Sequence, residues 1–171
     1  KTVEKIQGGT RTTVEFTYNG NGLRTSKKVR NSEEGYEEKV TNYIYDRQHV
    51  ILETDENNNT ITRYVRGLSY IASVDNTNNS LYYLYNGHGD VIQTINEAGE
   101  VQNQYDYDIF GNPILTSEEH DNPIRYSGEY YDEETGLYYL RARYYNPYTG
   151  RFITEDNYWG EDSNPLSLNL Y

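Results

Sequence analysis

A short aromatic pattern returns along this chain roughly every twenty residues, and that return limits the fold more than any other feature. Aromatic-x-Tyr-Asn/Asp occurs at Phe16-Thr17-Tyr18-Asn19, Tyr43-Ile44-Tyr45-Asp46, Tyr83-Leu84-Tyr85-Asn86 and Tyr105-Asp106-Tyr107-Asp108, with a weaker copy at Arg63-Tyr64-Val65-Arg66-Gly67. With markers at Tyr18, Tyr45, Tyr64, Tyr85 and Tyr107, the intervals are 27, 19, 21 and 22 residues. No helical apolar stripe lies inside that period, so the unit is a strand, a turn and a return strand.

Each unit has a physical reading. Two aromatic side chains two residues apart share one face of a strand. The Asn or Asp that follows, with a nearby Gly, suits a reversal, as in Asn19-Gly20-Asn21-Gly22, Asn86-Gly87-His88-Gly89 and Asp108-Ile109-Phe110-Gly111-Asn112. Val50-Ile51-Leu52-Glu53-Thr54 and Val91-Ile92-Gln93-Thr94-Ile95 read as return strands. Polar, flexible tips at Asp55 to Asn59 and Asn96 to Gly99 close the other end. The expectation is an all-β antiparallel hairpin meander of about ten short strands. Such a ribbon is marginal alone and needs neighbouring repeats.

Composition explains why the repeated residue is Tyr. The apolar fraction is 35% with Tyr counted in it, and Tyr supplies 21 of 171 residues against 3 Phe and 1 Trp. Without its phenol rings this chain is close to the composition that stays disordered, so Tyr must serve as core. The net charge of −12 argues against nucleic acid and anionic membrane surfaces as partners. With no Cys and three scattered His, thiolate chemistry is excluded and no metal or other cofactor is expected. No apolar run reaches membrane-spanning length, so no membrane insertion is expected of this segment. The absence of Met, including at position 1, reads as a fragment or a processed chain.

From about Asp121 the texture changes. Residues 124–152 are denser in Tyr and Arg and read as two further hairpins, with reversals at Asp132 to Gly136 and Asn146 to Gly150. Arg141, Arg143 and Arg151 among so many rings favour guanidinium stacking. A short helix is expected near Asn164 to Leu170. The organisation is then a hairpin array over 1–120 and a distinct unit over 121–171.

These residues resemble the YD-repeat and RHS-repeat-associated core family, which includes the Rhs, wall-associated and Tc-toxin C proteins and, distantly, teneurins. The resemblance rests on Tyr131-Asp132-Glu133-Glu134-Thr135-Gly136-Leu137-Tyr138-Tyr139, followed by Arg143-Tyr144-Tyr145-Asn146-Pro147-x-x-Gly150-Arg151-Phe152-x-x-x-Asp156. It implies a β-strip that spirals into a hollow shell around a variable C-terminal toxin or effector, with the core sealing one end. It also implies self-cleavage by an aspartyl-protease-like centre in the intact parent. By that resemblance alone, Asp156 occupies the position of a catalytic aspartate and Arg151 that of the adjacent arginine. The family pattern has Asp-Pro where this chain has Asp156-Asn157, and no second aspartate aligns. The plainer role for Asp156 is a turn carboxylate paired with Arg151 or capping a short helix at Asn157 to Gly160.

Other constellations are weaker. Asp55-x-Asn57-x-Asn59 and Asp75-x-Thr77-x-Asn79 place oxygens at alternate positions, yet lack the glycine and bidentate glutamate of a calcium loop, so turn chemistry explains them. Asp132, Glu133 and Glu134 read as a solvated hairpin tip. His49, His88 and His120 are assigned to neither metal nor catalysis. The functional expectation is a structural shell segment that encloses and presents a C-terminal cargo in a bacterial protein that is secreted or held at the cell surface or cell wall, its partners being that cargo and neighbouring YD repeats. A self-cleaving core is the enzymatic alternative. A surface module that binds glycans through outward rings is the third.

Overall fold

The computed structural model describes residues 1–154; the expected helix near Asn164 to Leu170 and Asp156 lie outside them. The chain is all-β. Its first sheet holds 11 strands in sequence order, every neighbouring pair antiparallel: β1 (Thr2–Gln7), β2 (Thr10–Tyr18), β3 (Arg24–Asn31), β4 (Lys39–Asp46), β5 (His49–Thr54), β6 (Thr60–Arg66), β7 (Tyr70–Asp75), β8 (Ser80–Tyr85), β9 (Val91–Ile95), β10 (Val101–Tyr107) and β11 (Pro113–Glu118). This is the expected meander with one strand more. The sheet is open, with β1 and β11 as its edges. A second sheet holds 4 strands, also in sequence order: β12 (Tyr130–Asp132), β13 (Leu137–Leu140), β14 (Arg143–Asn146) and β15 (Arg151–Phe152). A single 3-10 turn at Tyr126–Gly128 precedes it.

The aromatic pairs do share a face. Phe16, Tyr43, Tyr83 and Tyr105 are buried, while Ile44 and Leu84 between pair members point outward and stay exposed. The second member of each pair sits at a β-bulge. Tyr18, Tyr45, Tyr85 and Tyr107 pair with Arg24, Val50, Val91 and Pro113, and the residue before each tyrosine pairs two positions beyond that partner. The unpaired extra residues are Thr25, Ile51, Ile92 and Ile114. In the weak copy the bulge falls between Val65 and Arg66, with Ile71 as the extra residue. Tyr64 is therefore the equivalent of Tyr43 and Tyr83, and the true marker is Arg66, two residues beyond the one that sequence suggested.

The bulges explain why the repeated residue is Tyr and not Phe. The hydroxyl of Tyr45 donates to the Arg24 carbonyl at 2.7 Å, that of Tyr85 to the Tyr70 carbonyl at 2.8 Å and that of Tyr107 to the Val91 carbonyl at 3.0 Å. Each accepting carbonyl belongs to the bulge partner in the preceding hairpin. The phenol thus staples one repeat to the next while its ring fills the core. Arg66 cannot do this, and the Val50 carbonyl is instead served by Tyr70 at 3.1 Å.

Loops at both ends of the hairpins use one device. An Asn or Asp at the first loop position accepts backbone N–H groups from inside the loop: Asn19 from Asn21 and Leu23, Asp55 from Asn57 and Asn59, Asp75 from Thr77 and Asn79, Asp108 from Phe110 and Asn112. The alternate oxygens of Asp55 and Asp75 are thus committed to turns, and no group able to hold a metal occurs among the described residues. The tips expected to be flexible are hydrogen-bonded loops.

Candidate functional site

The 4-stranded sheet lies on the ring-bearing face of the 11-stranded one, and the seam between them gathers more buried charge than any other place among the described residues. Its centre is Arg24, the first residue of β3. The corresponding residues of later return strands are Val50, Tyr70 and Val91, all buried, so the register forces Arg24 inward as well. Its side chain is 0% exposed and NH1 donates to Asp132 Oδ2 at 2.5 Å, across 108 residues of sequence; Asp132 is also 0% exposed. The rings of Phe16, Tyr43, Tyr130 and Tyr139 enclose the guanidinium, with centroids 4.4 to 5.2 Å from its central carbon. Nε and NH2 have no hydrogen-bond acceptor and meet ring faces in place of one. Burial works to discharge Arg24, and the Asp132 carboxylate overrides it, so the pKa lies above the ordinary arginine value.

Around this pair the seam is polar but ordered. Lys27 binds Glu134 at 2.9 Å and lies 3.6 Å from Asp132 Oδ1. Burial raises the pKa of Glu134, but the charge and hydrogen bond of Lys27 outweigh it and leave the group below its ordinary range. Glu53 on β5 is buried and accepts the hydroxyls of Tyr130 at 2.5 Å and Tyr64 at 2.8 Å. There desolvation wins over the hydrogen bonds, and the Glu53 pKa is raised. Tyr43, with no partner for its hydroxyl, is pushed up to about 12 by burial. Asn122 accepts the Tyr83 hydroxyl at 3.2 Å and donates to the carbonyl of Ile124 at 2.8 Å. Arg125 donates to both oxygens of Glu118 and stacks over Tyr105 and Tyr131. The Tyr18 and Tyr144 hydroxyls meet at 2.9 Å, and the backbone N–H of Arg24 donates to the Tyr139 hydroxyl at 2.7 Å. A cavity of about 400 Å³ beside this network is lined by six carboxylates, Glu53, Glu118, Glu119, Asp121, Glu133 and Glu134, against the three cations Lys27, Lys39 and Arg125.

Two expectations are corrected here. Asp132 belongs to no solvated tip: it is fully buried, because β12 lays it against β3, and Glu134 is tied to Lys27. Of the arginines expected to stack, Arg143 does so, over the Phe152 ring, whereas Arg141 bonds Glu129; stacking on tyrosine also involves Arg24, Arg66 and Arg125, which the expectation did not name. Of the residues carried over from the family, Arg151 is exposed on β15 and pairs with Asn146, and Asp156 lies outside the described residues. Arg24, Glu53, Asn122 and Arg125 were missed. The one sequence signal for Arg24 was a charge at a position where the other repeats carry Val, Tyr or Pro. The histidines remain separate: His88 bonds Asp90 and His120 bonds Gln102.

The teneurin YD-shell family matches residues 11–171. The chain belongs to that family. The tRNA nuclease WapA of Bacillus subtilis (strain 168) is 40% identical over 162 residues, which is 91% of this chain and 7% of WapA. Salivary gland surface protein 1 of Aedes aegypti is 32% identical over 158 residues, 84% of this chain and 5% of that protein. The crystal structure of TcdB2-TccC3 superposes on 99% of the chain and 9% of its own with a TM-score of 0.76 at 23% identity, a likeness of fold. This YD-shell segment therefore spans less than a tenth of the length of these relatives.

Proposed function

We propose that the chain forms wall and end plug of a hollow YD shell whose parent carries a toxin or effector C-terminal to it. In this reading residues 1–120 are wall, residues 121–171 are the core that closes one end, and the parent is secreted or displayed at the cell surface. The seam carries the proposal. A plug joined to the wall only by one stretch of backbone needs a further anchor to hold its position, and Arg24, buried with Asp132 among four rings, supplies one. Kinship with proteins named tRNA nucleases supports a toxic cargo on a far longer chain.

Limited proteolysis of the native full-length parent tests this. The C-terminal cargo should resist digestion, and Asp132→Ala should expose it; a cargo digested as fast in the native parent as in isolation removes the shell reading. Within the same proposal, Asp156 and Arg151, carried over by family resemblance alone, serve self-cleavage at the core. The parent bearing Asp156→Asn should run as one band on a denaturing gel, and two bands would end the catalytic role.

A further inference from the structure

Arg66 is where the repeat breaks its own rule. At the equivalent positions Tyr18, Tyr45, Tyr85 and Tyr107 fill the interior with a ring, whereas Arg66 turns back on its own loop, donating to the carbonyls of Gly67 at 3.2 Å and Leu68 at 2.8 Å. A cavity of about 230 Å³ lies beside it, between the loops of the array and the 126–141 segment, lined among others by His49, Tyr70, Tyr85, Glu129 and Arg141. That volume is several times the share of one water molecule, roughly 30 Å³.

The charge in this cavity is unbalanced. Arg24, Lys27, Arg125 and Arg141 each face a carboxylate, Asp132, Glu134, Glu118 and Glu129 respectively. Arg66 forms no ion pair among the described residues, and its Nε is buried with no acceptor. The one carboxylate lining the cavity, Glu129, is held by Arg141. The hydroxyls of Tyr70 and Tyr85 donate to backbone carbonyls, and Arg66 meets Tyr70 through its ring, 5.6 Å from the centroid, not through a hydrogen bond. Burial first, then Arg66 and Arg141, lower the His49 pKa, with Glu129 and Asp46 opposing them, so both guanidinium groups lie close enough to His49 to act on it.

We propose that this cavity binds a small free oxyanion of phosphate or carboxylate type, with Arg66 as its principal counter-charge and Arg141 as the second. An arginine whose fork is only partly used by its own loop, in a cavity of excess positive charge, recognises an oxyanion by charge-assisted hydrogen bonds.

Thermal unfolding of the protein in sodium phosphate against sodium chloride at matched ionic strength tests the site, with isothermal titration of inorganic phosphate alongside. The wild type should show a saturable, phosphate-specific rise in Tm of a few degrees. Arg66→Tyr restores the residue found at the other repeats and should abolish the rise while the protein stays folded; Arg66→Gln should abolish it without filling the cavity. Absence of a phosphate-specific rise in the wild type, or its survival in either variant, overturns the proposal.

Discussion

The two sheets of this chain are built from the same residue in opposite ways. In the 11-stranded sheet each tyrosine pair acts on its neighbour: a ring packs within the repeat and a hydroxyl reaches a carbonyl 15 to 21 residues back. In the 4-stranded sheet the strands are short, 3, 4, 4 and 2 residues, and the hydrogen bonds that tie them to the first sheet and its loops span 27 to 126 residues. The first sheet is a sum of nearest-neighbour terms, as in other repeat architectures. The second depends on the first being in place, because too few ladder hydrogen bonds exist within it to hold it alone.

The sharpest way to break that contrast is to leave a charge unpaired at the seam. Arg24→Ala or Asp132→Ala should each destabilise by about 3–5 kcal/mol, since either strands the other charge in a dry site. The double replacement Arg24→Met with Asp132→Leu should cost far less than the two single losses together. Urea unfolding measures both; additive losses would mean that the pair is not coupled. If the sheets differ as described, the single variants should also lose hydrogen-exchange protection in β12 to β14 before β5 to β9.

A smaller effect separates loops that touch the second sheet from loops that do not. Gly111 and Gly99 hold equivalent loop positions with φ of +87° and +80°, but a Cβ at Gly111 would lie 2.6 Å from the Tyr126 ring and one at Gly99 would meet nothing. Gly99→Ala should cost roughly 1 kcal/mol for its backbone alone, and Gly111→Ala about 1–3 kcal/mol beyond that. Equal midpoints in denaturant would show that the seam yields at that point.

The gentlest probe is pH. The raised pKa of Glu53 means that its ionised form opposes folding at neutral pH, and this opposition is released as pH falls through the folded pKa toward the unfolded value near 4.5. Glu134 has the opposite sign: its contribution is present above the unfolded pKa and lost as pH falls through the lowered folded one. Glu53→Gln, which keeps an acceptor for Tyr130 and Tyr64, should therefore be favoured over wild type most at pH 7 and progressively less on acidification. A difference independent of pH between 7 and 4.5 would contradict this.

Legibility in the sequence follows the same division. The hairpins, their loops and the inward face of the rings could be read because Tyr-x-Tyr-Asn carries its own geometry within five residues. The phase of the weak copy could not, since Tyr64 and Arg66 differ only in which one meets the bulge, and bulges leave no residue signature that one repeat displays alone. Compared across repeats a signature does exist: Ile51, Ile71, Ile92 and Ile114 all occupy the extra position. The Arg24 cage was out of reach because it needs β3 to meet β12, and nothing local to Asp132 distinguishes a buried carboxylate from a turn residue.

Those four isoleucines, with Thr25, mark five bulges at the same end of five consecutive hairpins, all on the return strand. A bulge bends its strand and adds twist of one hand. Two further bulges, with Ile61 and Gln102 as extra residues, lie at the other end on outgoing strands, so it is the five at the common end that recur with every repeat. Duplicating a single hairpin would then lengthen the strip by one more such unit, with no existing residue needing to change.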